Sequence, residues 1–206
     1  SFRNLFSARL LTVRGNGIAP IALAFAVLDI GGSAADLGIV VAARSLFNVA
    51  FLLLGGVLAD RYSRSRVMVS SSLAAAITQG VVAWIVLDGS ATIPLLAILG
   101  ALNGAAAGIA LPASSAMVPQ TVPLHNLREA NALIQLGVYG GTVIGASMGG
   151  LLTSAIGPGW GLAIDALGFA AAAPLYQRIR VNAMQTEKST SNILQDLREG
   201  WKEFIA

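Results

Sequence analysis

The hydrophobic positions of this chain fall in long blocks, too long for strands and separated by short polar turns. No Asp, Glu, Lys or Arg occurs in residues 67–87, 89–127 or 130–164. A helix of about 20 apolar residues crosses the hydrocarbon of a bilayer. The pattern predicts six spans, at about 7–28, 37–59, 67–87, 93–113, 130–155 and 160–176. Gly31-Gly32-Ser33, Asp88-Gly89-Ser90 and Gly157-Pro158-Gly159 turn the chain on one side. Asp60 to Arg66 and His125 to Glu129 turn it on the other. Span 1 holds Arg14-Gly15-Asn16-Gly17 and Pro20, so an interrupted helix is expected there. Span 4 is expected to lose its regularity after Ala113, where Pro112, Pro119 and Pro123 follow closely.

Composition agrees with this reading. Of 206 residues, 55% are hydrophobic and 11% charged, and the mean hydropathy is +0.74. A soluble domain is nearer a quarter charged. The expected class is an all-α membrane protein with a six-helix bundle over 1–180. Charge then orients it. Arg3, Arg9, Arg61, Arg64, Arg66, Arg128, Arg178, Arg180, Lys188, Arg198 and Lys202 all fall on one side, and the three opposite turns have no Lys or Arg. Basic loops stay in the cytoplasm, so both ends of the chain are expected inside a plasma membrane. The same bias accounts for the pI of 9.8 without nucleic acid as a partner. With no Cys and one His, no disulfide, thiol or metal site is expected. No nucleotide loop or nucleophile constellation suggests an enzyme.

Residues 187–206 differ. Ile193, Leu194, Leu197, Trp201, Phe204 and Ile205 recur at helical spacing between charges. They read as an amphipathic helix in a cytoplasmic linker over 181–206, lying on the membrane or packing on further protein. The chain starts without Met and ends inside this pattern, so the expectation is a piece of a longer polypeptide.

The loop Gly55-Gly56-Val57-Leu58-Ala59-Asp60-Arg61-Tyr62-Ser63-Arg64-Ser65-Arg66 resembles the helix 2–3 loop of the major facilitator superfamily of secondary transporters. Gly56, Asp60, Arg61, Arg64 and Arg66 match, with Ser63 where the family usually has Gly. Gly145-Ala146-Ser147-Met148-Gly149-Gly150 is similar to the helix-5 motif of its antiporters, with Ala146 in place of Pro. Phe25 to Asp29, Ala42 to Leu46, Pro112 to Ser115, Val118 to Gln120, Ala130 to Leu133 and Ala163 to Ala166 resemble one branch. It is the bacterial drug and siderophore exporters, with macrolide-efflux-like and enterobactin-exporter-like members. The resemblance implies the N-terminal half of a larger fold, built as two inverted three-helix repeats. Gly55-Gly56-Val57-Leu58 and Gly149-Gly150-Leu151-Leu152 are a faint internal echo of such repeats.

The resemblance also implies proton-coupled export of amphiphilic small molecules by alternating access, with no cofactor beyond the proton gradient. The partners implied are the bilayer, a small-molecule substrate and a C-terminal six-helix half. A stand-alone membrane scaffold and an uptake carrier of the same fold are alternatives. In the loop, Asp60 and the arginines are implied to latch the cytoplasmic side; their topological role does not compete with that.

Within the spans, Gly137, Gly141, Gly145 and Gly149 recur every four residues, as do Gly100, Gly104 and Gly108. Such stripes let helices approach closely in lipid; Gly150 is grouped with the first. Arg in a span is costly and faces a cavity or a partner. Arg44 is therefore expected to meet an anionic substrate group or a carboxylate switch, to snorkel to the outer interface, or to pair with Asp36. Asn16, Arg44, Asn48, Asn103, Gln135 and Tyr139, with Thr142, are the cavity candidates, each with interhelical hydrogen bonding as the other reading. Asp29 and Asp165 are the candidate coupling carboxylates. Asp29 reads equally as a solvated turn residue, and Asp165 as a group at the outer interface or bonded to a neighbouring helix.

Overall fold

In a computed structural model, residues 2–179 are described, and they form six long α-helices with one short 3-10 turn. The helices are α1 (Phe2–Asp29), α2 (Ala34–Arg61), α3 (Arg64–Asp88), α4 (Ile93–Thr121), α5 (Leu127–Ile156) and α6 (Pro158–Gln177). The amphipathic helix expected after residue 187 lies outside the described residues. Helices α1 to α5 are each long and apolar enough to cross a membrane. With 20 residues, α6 spans about 30 Å, the thickness of the hydrocarbon.

Local chemistry sets the ends. Ser33 caps α2 with a full capping box: its hydroxyl accepts from the Asp36 N–H, and Asp36 accepts from the Ser33 N–H at 2.7 Å. The carboxylate also accepts from the Ser33 hydroxyl at 2.7 Å. These hydrogen bonds, the hydroxyl first, hold the Asp36 carboxyl below its ordinary pKa. Gly31, Gly89 and Gly157 take φ of 78°, 77° and 91° at the three turns that need positive φ.

Two expectations are corrected. Helix α1 runs without a break through Arg14, Gly15, Asn16, Gly17 and Pro20, and α4 runs through Pro112 and Pro119 to Thr121. Helix α2 and the start of α3 hold α4 closely around Pro112 and Pro119. Pro112 removes the helical donor to the Gly108 carbonyl, and Gly55 of α2 packs on that oxygen; a Cβ there would sit 2.8 Å from it. Near Pro119, which frees the Ser115 carbonyl, Arg64 donates to the adjacent Ala116 carbonyl at 2.9 Å.

The packing has an internal two-fold pattern. Helix α2 packs on α4 as α5 packs on α1, and α3 packs on α4 as α6 packs on α1. Helices α3 and α6 pack on each other. Exchanging α1, α2, α3 with α4, α5, α6 leaves this set unchanged, as two inverted repeats require. The glycine seams obey the same exchange. A Cβ on Gly55 would meet the Ile109 Cα at 2.7 Å, and one on Gly149 would meet the Ile18 Cα at 3.0 Å. Gly108 faces the Asn48 carbonyl, and Gly17 faces that of Thr142. Gly56 and Gly150 are open, and a Cβ added to either would have nothing within 4 Å. The echo between Gly55-Gly56 and Gly149-Gly150 is thus a real structural equivalence, while Gly150 does not belong to the packing stripe.

Two core clusters mark the ends of the bundle. Leu5, Met68, Met117, Ile134 and Tyr176 are buried at one end, and Val27, Val40, Val82, Leu96 and Leu162 at the other. The first end carries Arg3, Arg61, Arg64, Arg66, Arg128 and Arg178; the second carries Asp29, Asp36 and Asp88.

Candidate substrate cavity

A cavity of about 560 Å³ opens between α1 and α4, with α3 and α6 behind it and α5 to one side. Its walls follow helical periodicity. Helix α1 contributes Arg9, Thr12, Val13 and Asn16, spaced three, one and three residues apart, as one face of a helix requires. Helix α5 contributes Asn131, Ile134, Gln135 and Val138 on the same rhythm. Met68, Ser71, Ser72 and Ala75 of α3, with Phe169 and Tyr176 of α6, close the back. A volume of this size suits a drug-sized ligand.

Of the residues expected in such a cavity, Asn16, Arg44 and Gln135 line it. Arg44 Nη2 donates to Asn16 Oδ1 at 3.2 Å, joining α2 to α1. The expected alternative partner, Asp36, is engaged by its own cap. Four candidates lie elsewhere. Asn48 donates to the Gly104 carbonyl at 3.4 Å across the α2–α4 seam. Asn103 is 3% exposed and donates to the Ala75 carbonyl at 3.3 Å and the Thr78 hydroxyl at 3.2 Å. Tyr139 is 68% exposed on the outside of α5. Thr142 returns its hydroxyl to the Val138 carbonyl at 2.8 Å, on its own helix. A polar residue in a span has several ways to be satisfied, and sequence does not choose between them.

Of the two carboxylates, Asp29 is exposed at the end of α1. Asp165 is 1% exposed, not at an interface, and its Oδ1 has no hydrogen-bond partner. It presses on α1 at Gly15, where any Cβ would overlap Oδ1. Gly15 is adjacent to Asn16, which holds Arg44, so the carboxylate and the cavity arginine meet neighbouring residues of α1.

Sequence reasoning missed Arg9, which counting by side assigns to the cytoplasmic end. It lies inside the bundle, and both Nε and Nη2 donate to the hydroxyl of Ser114 on α4. Tyr176 and Thr12 surround it. The signal was available: Arg9, Thr12 and Asn16 form a polar stripe along one face of a span.

The basic loop sits at the crowded end. Asp60 is exposed near the end of α2, Arg61 is its last residue, and Arg64 and Arg66 open α3. Arg64 is committed to α4 through Ala116. Ser65 ties α3 to α6 by donating to the Tyr176 carbonyl at 2.7 Å. Gly137 and Gly141 pack on Phe6, Leu10 and Val13 side chains, whereas Gly145 and Gly149 pack on α1 backbone.

A profile of the Major Facilitator Superfamily matches residues 5–206. The chain is 34% identical over 173 residues to the enterobactin exporter EntS of Shigella boydii, covering 82% of this chain and 40% of that protein. Its likeness to EntS of Escherichia coli O1:K1 is the same, 34% over 82% of this chain and 40% of the relative. With EntS of Salmonella typhimurium the identity is 33%, over 82% of this chain and 41% of the relative. The chain spans about 40% of the length of the curated relatives it matches. The inverted helix repeats, the cavity they enclose and the match over residues 5–206 agree: this multi-pass membrane chain belongs to the major facilitator superfamily, a family of transporters rather than enzymes.

Proposed function

We propose that this chain forms the N-terminal half of a proton-driven exporter of amphiphilic small molecules, with siderophore-like compounds as the first to test. The observation that carries the reading is the polar-lined cavity at the centre of an inverted-repeat bundle of this family. The similarity to proteins named enterobactin exporters supports export. In this reading the basic end faces the cytoplasm, because loops rich in arginine remain there. A second six-helix half covers the α1–α4 mouth, and α2 and α5 have the most uncovered apolar surface for it and for lipid.

Asp165 is the carboxylate of this half that fits a proton carrier. It is buried, its Oδ1 lacks a partner, and it abuts the helix that holds Arg44. Asp60 latches the cytoplasmic side. Arg64, bound to α4, carries loop movement into the helix that lines the cavity.

The test uses everted membrane vesicles containing the intact protein. Radiolabelled enterobactin accumulates when a proton gradient is imposed and stops accumulating with a protonophore. Accumulation indifferent to the gradient refutes proton drive. Net uptake by whole cells instead of efflux reverses the direction.

A further inference from the structure

Among the described residues, the cavity lining contains two guanidinium groups, Arg9 and Arg44, and no Asp or Glu. Among the described residues, neither arginine makes a salt bridge; their partners are the neutral Ser114 and Asn16. A guanidinium has five N–H donors, so both groups retain donors beyond those partners. Asp165 is near enough to act on Arg44 electrostatically, but it is buried against Gly15 and is not part of the lining. The Ser71 hydroxyl, on the same cavity, is buried and also lacks a partner. Cations held within a membrane bundle beside neutral groups are poorly compensated unless an anion joins them.

The spacing adds detail. Arg9 lies on α1, and Arg44 is tied to α1 at Asn16. Seven helical residues separate these points, about 10 Å along the axis. Met68, Ile134 and Phe169 provide apolar surface on the same cavity.

We propose that this cavity is a built site for an amphiphilic organic anion, with Arg9 and Arg44 as two stations for its acidic groups and an apolar wall for its body. The proposal rests on the transporter reading and narrows its substrate class. Arg9 is the station nearer the basic end, where Ser114 aims its guanidinium. Planar, forked donors match carboxylate or sulfonate oxygens and strengthen when water is excluded.

The test is a matched pair of fluorescent probes, 1-anilinonaphthalene-8-sulfonate and N-phenyl-1-naphthylamine. They share the aromatic skeleton and differ in the sulfonate. Binding is measured on the intact protein in lipid nanodiscs, with empty nanodiscs subtracted. The wild type is expected to bind the sulfonate at least about tenfold more tightly, and added salt is expected to weaken only that probe. Arg9→Gln and Arg44→Gln each reduce sulfonate affinity about tenfold and leave the neutral probe within about twofold. Arg9→Lys restores part of the loss, because charge survives without the fork. Equal affinity of the wild type for the two probes overturns the proposal, and that result needs no variant to fold. Parallel loss of both probes in the variants overturns it too. Charge-indifferent binding with working transport rejects the anion site alone. Selective anion binding without transport by reconstituted protein rejects the transporter reading and leaves the site.

Discussion

Gly145 and Gly150 are five residues apart on α5, and substituting each by Ala tests the packing most sharply. At Gly145 a methyl would overlap the Arg14 carbonyl oxygen and lie 3.0 Å from Gly17 Cα and 3.3 Å from the Arg14 carbonyl carbon. All three atoms are α1 backbone, which cannot rotate away as a side chain can. To reach ordinary contact, α1 and α5 must separate by roughly 1 Å, and such a gap forfeits a quarter to a half of the dispersion energy of the atoms facing it. Overpacking of this kind costs about 1–3 kcal/mol. The better helix propensity of Ala offsets up to about 1 kcal/mol. Gly145→Ala is therefore expected to destabilise the bundle by up to about 2 kcal/mol and to fall about 1–3 kcal/mol below Gly150→Ala. At Gly150 nothing lies within 4 Å of the added methyl. Gly150→Ala then retains only the propensity gain, from zero to about 1 kcal/mol of stabilisation. Equilibrium unfolding in mixed micelles, followed by far-UV circular dichroism, measures both. Equal stability of the two variants would refute the seam, as would a Gly145→Ala more stable than the wild type.

The remaining predictions concern polar groups. Asn103→Ala removes hydrogen bonds to α3 and is expected to lower stability by about 1 kcal/mol without changing the substrate affinity of folded protein; a changed affinity would return Asn103 to the cavity. Asp165→Asn is expected to abolish gradient-driven accumulation while substrate exchange across a membrane without a gradient persists; intact gradient dependence would remove Asp165 as the carrier. Asp60→Asn, compared at equal membrane abundance, is expected to slow efflux, and unimpaired efflux would sink the latch role. At Asp36 the carboxyl is held below its ordinary pKa in the folded state. Its contribution is therefore present above the unfolded value of about 3.9 and is lost as pH falls through the lower folded value. Ser33→Ala should lower neutral-pH stability and flatten that acid limb; an unchanged pH profile would contradict the cap.

What the sequence made legible follows from which forces act alone. Helix positions and the gathering of arginines at one end depend on apolar length and on arginine placement, both one-dimensional, and the charge-free blocks revealed them directly. Continuity of α1 and α4 was not legible, because whether Pro20 or Pro112 breaks a helix depends on what packs beside it. Gly55 on the Gly108 carbonyl is a three-dimensional answer. The same limit separates Gly149 from Gly150, and Asn16 from Asn48 and Asn103. Each pair is chemically alike and differs only in which neighbour its helix turns toward. Arg9 was legible in principle. A side count treats it as a loop charge, whereas the periodicity of Arg9, Thr12 and Asn16 places it on a helix face.

The pseudo-symmetry explains why the cavity chemistry is informative. Aligning Gly17 and Ile18 with Gly108 and Ile109 makes Arg9 equivalent to Gly100. Aligning Gly149 with Gly55 makes Val138 equivalent to Arg44. The scaffold repeats, with matched glycines on matched backbone carbonyls, but the charges do not. Each arginine faces the cavity from a position whose equivalent is uncharged. Symmetric packing alone therefore does not require either guanidinium, and a charge within a span is costly unless something compensates it. In α2 the repeat needs only a residue whose backbone lies against Gly104, which any side chain could provide. That Arg44 occupies the position, hydrogen-bonded to Asn16 and acted on by the buried Asp165 without a salt bridge to it, leaves guanidinium donors facing the cavity that an anionic ligand accounts for.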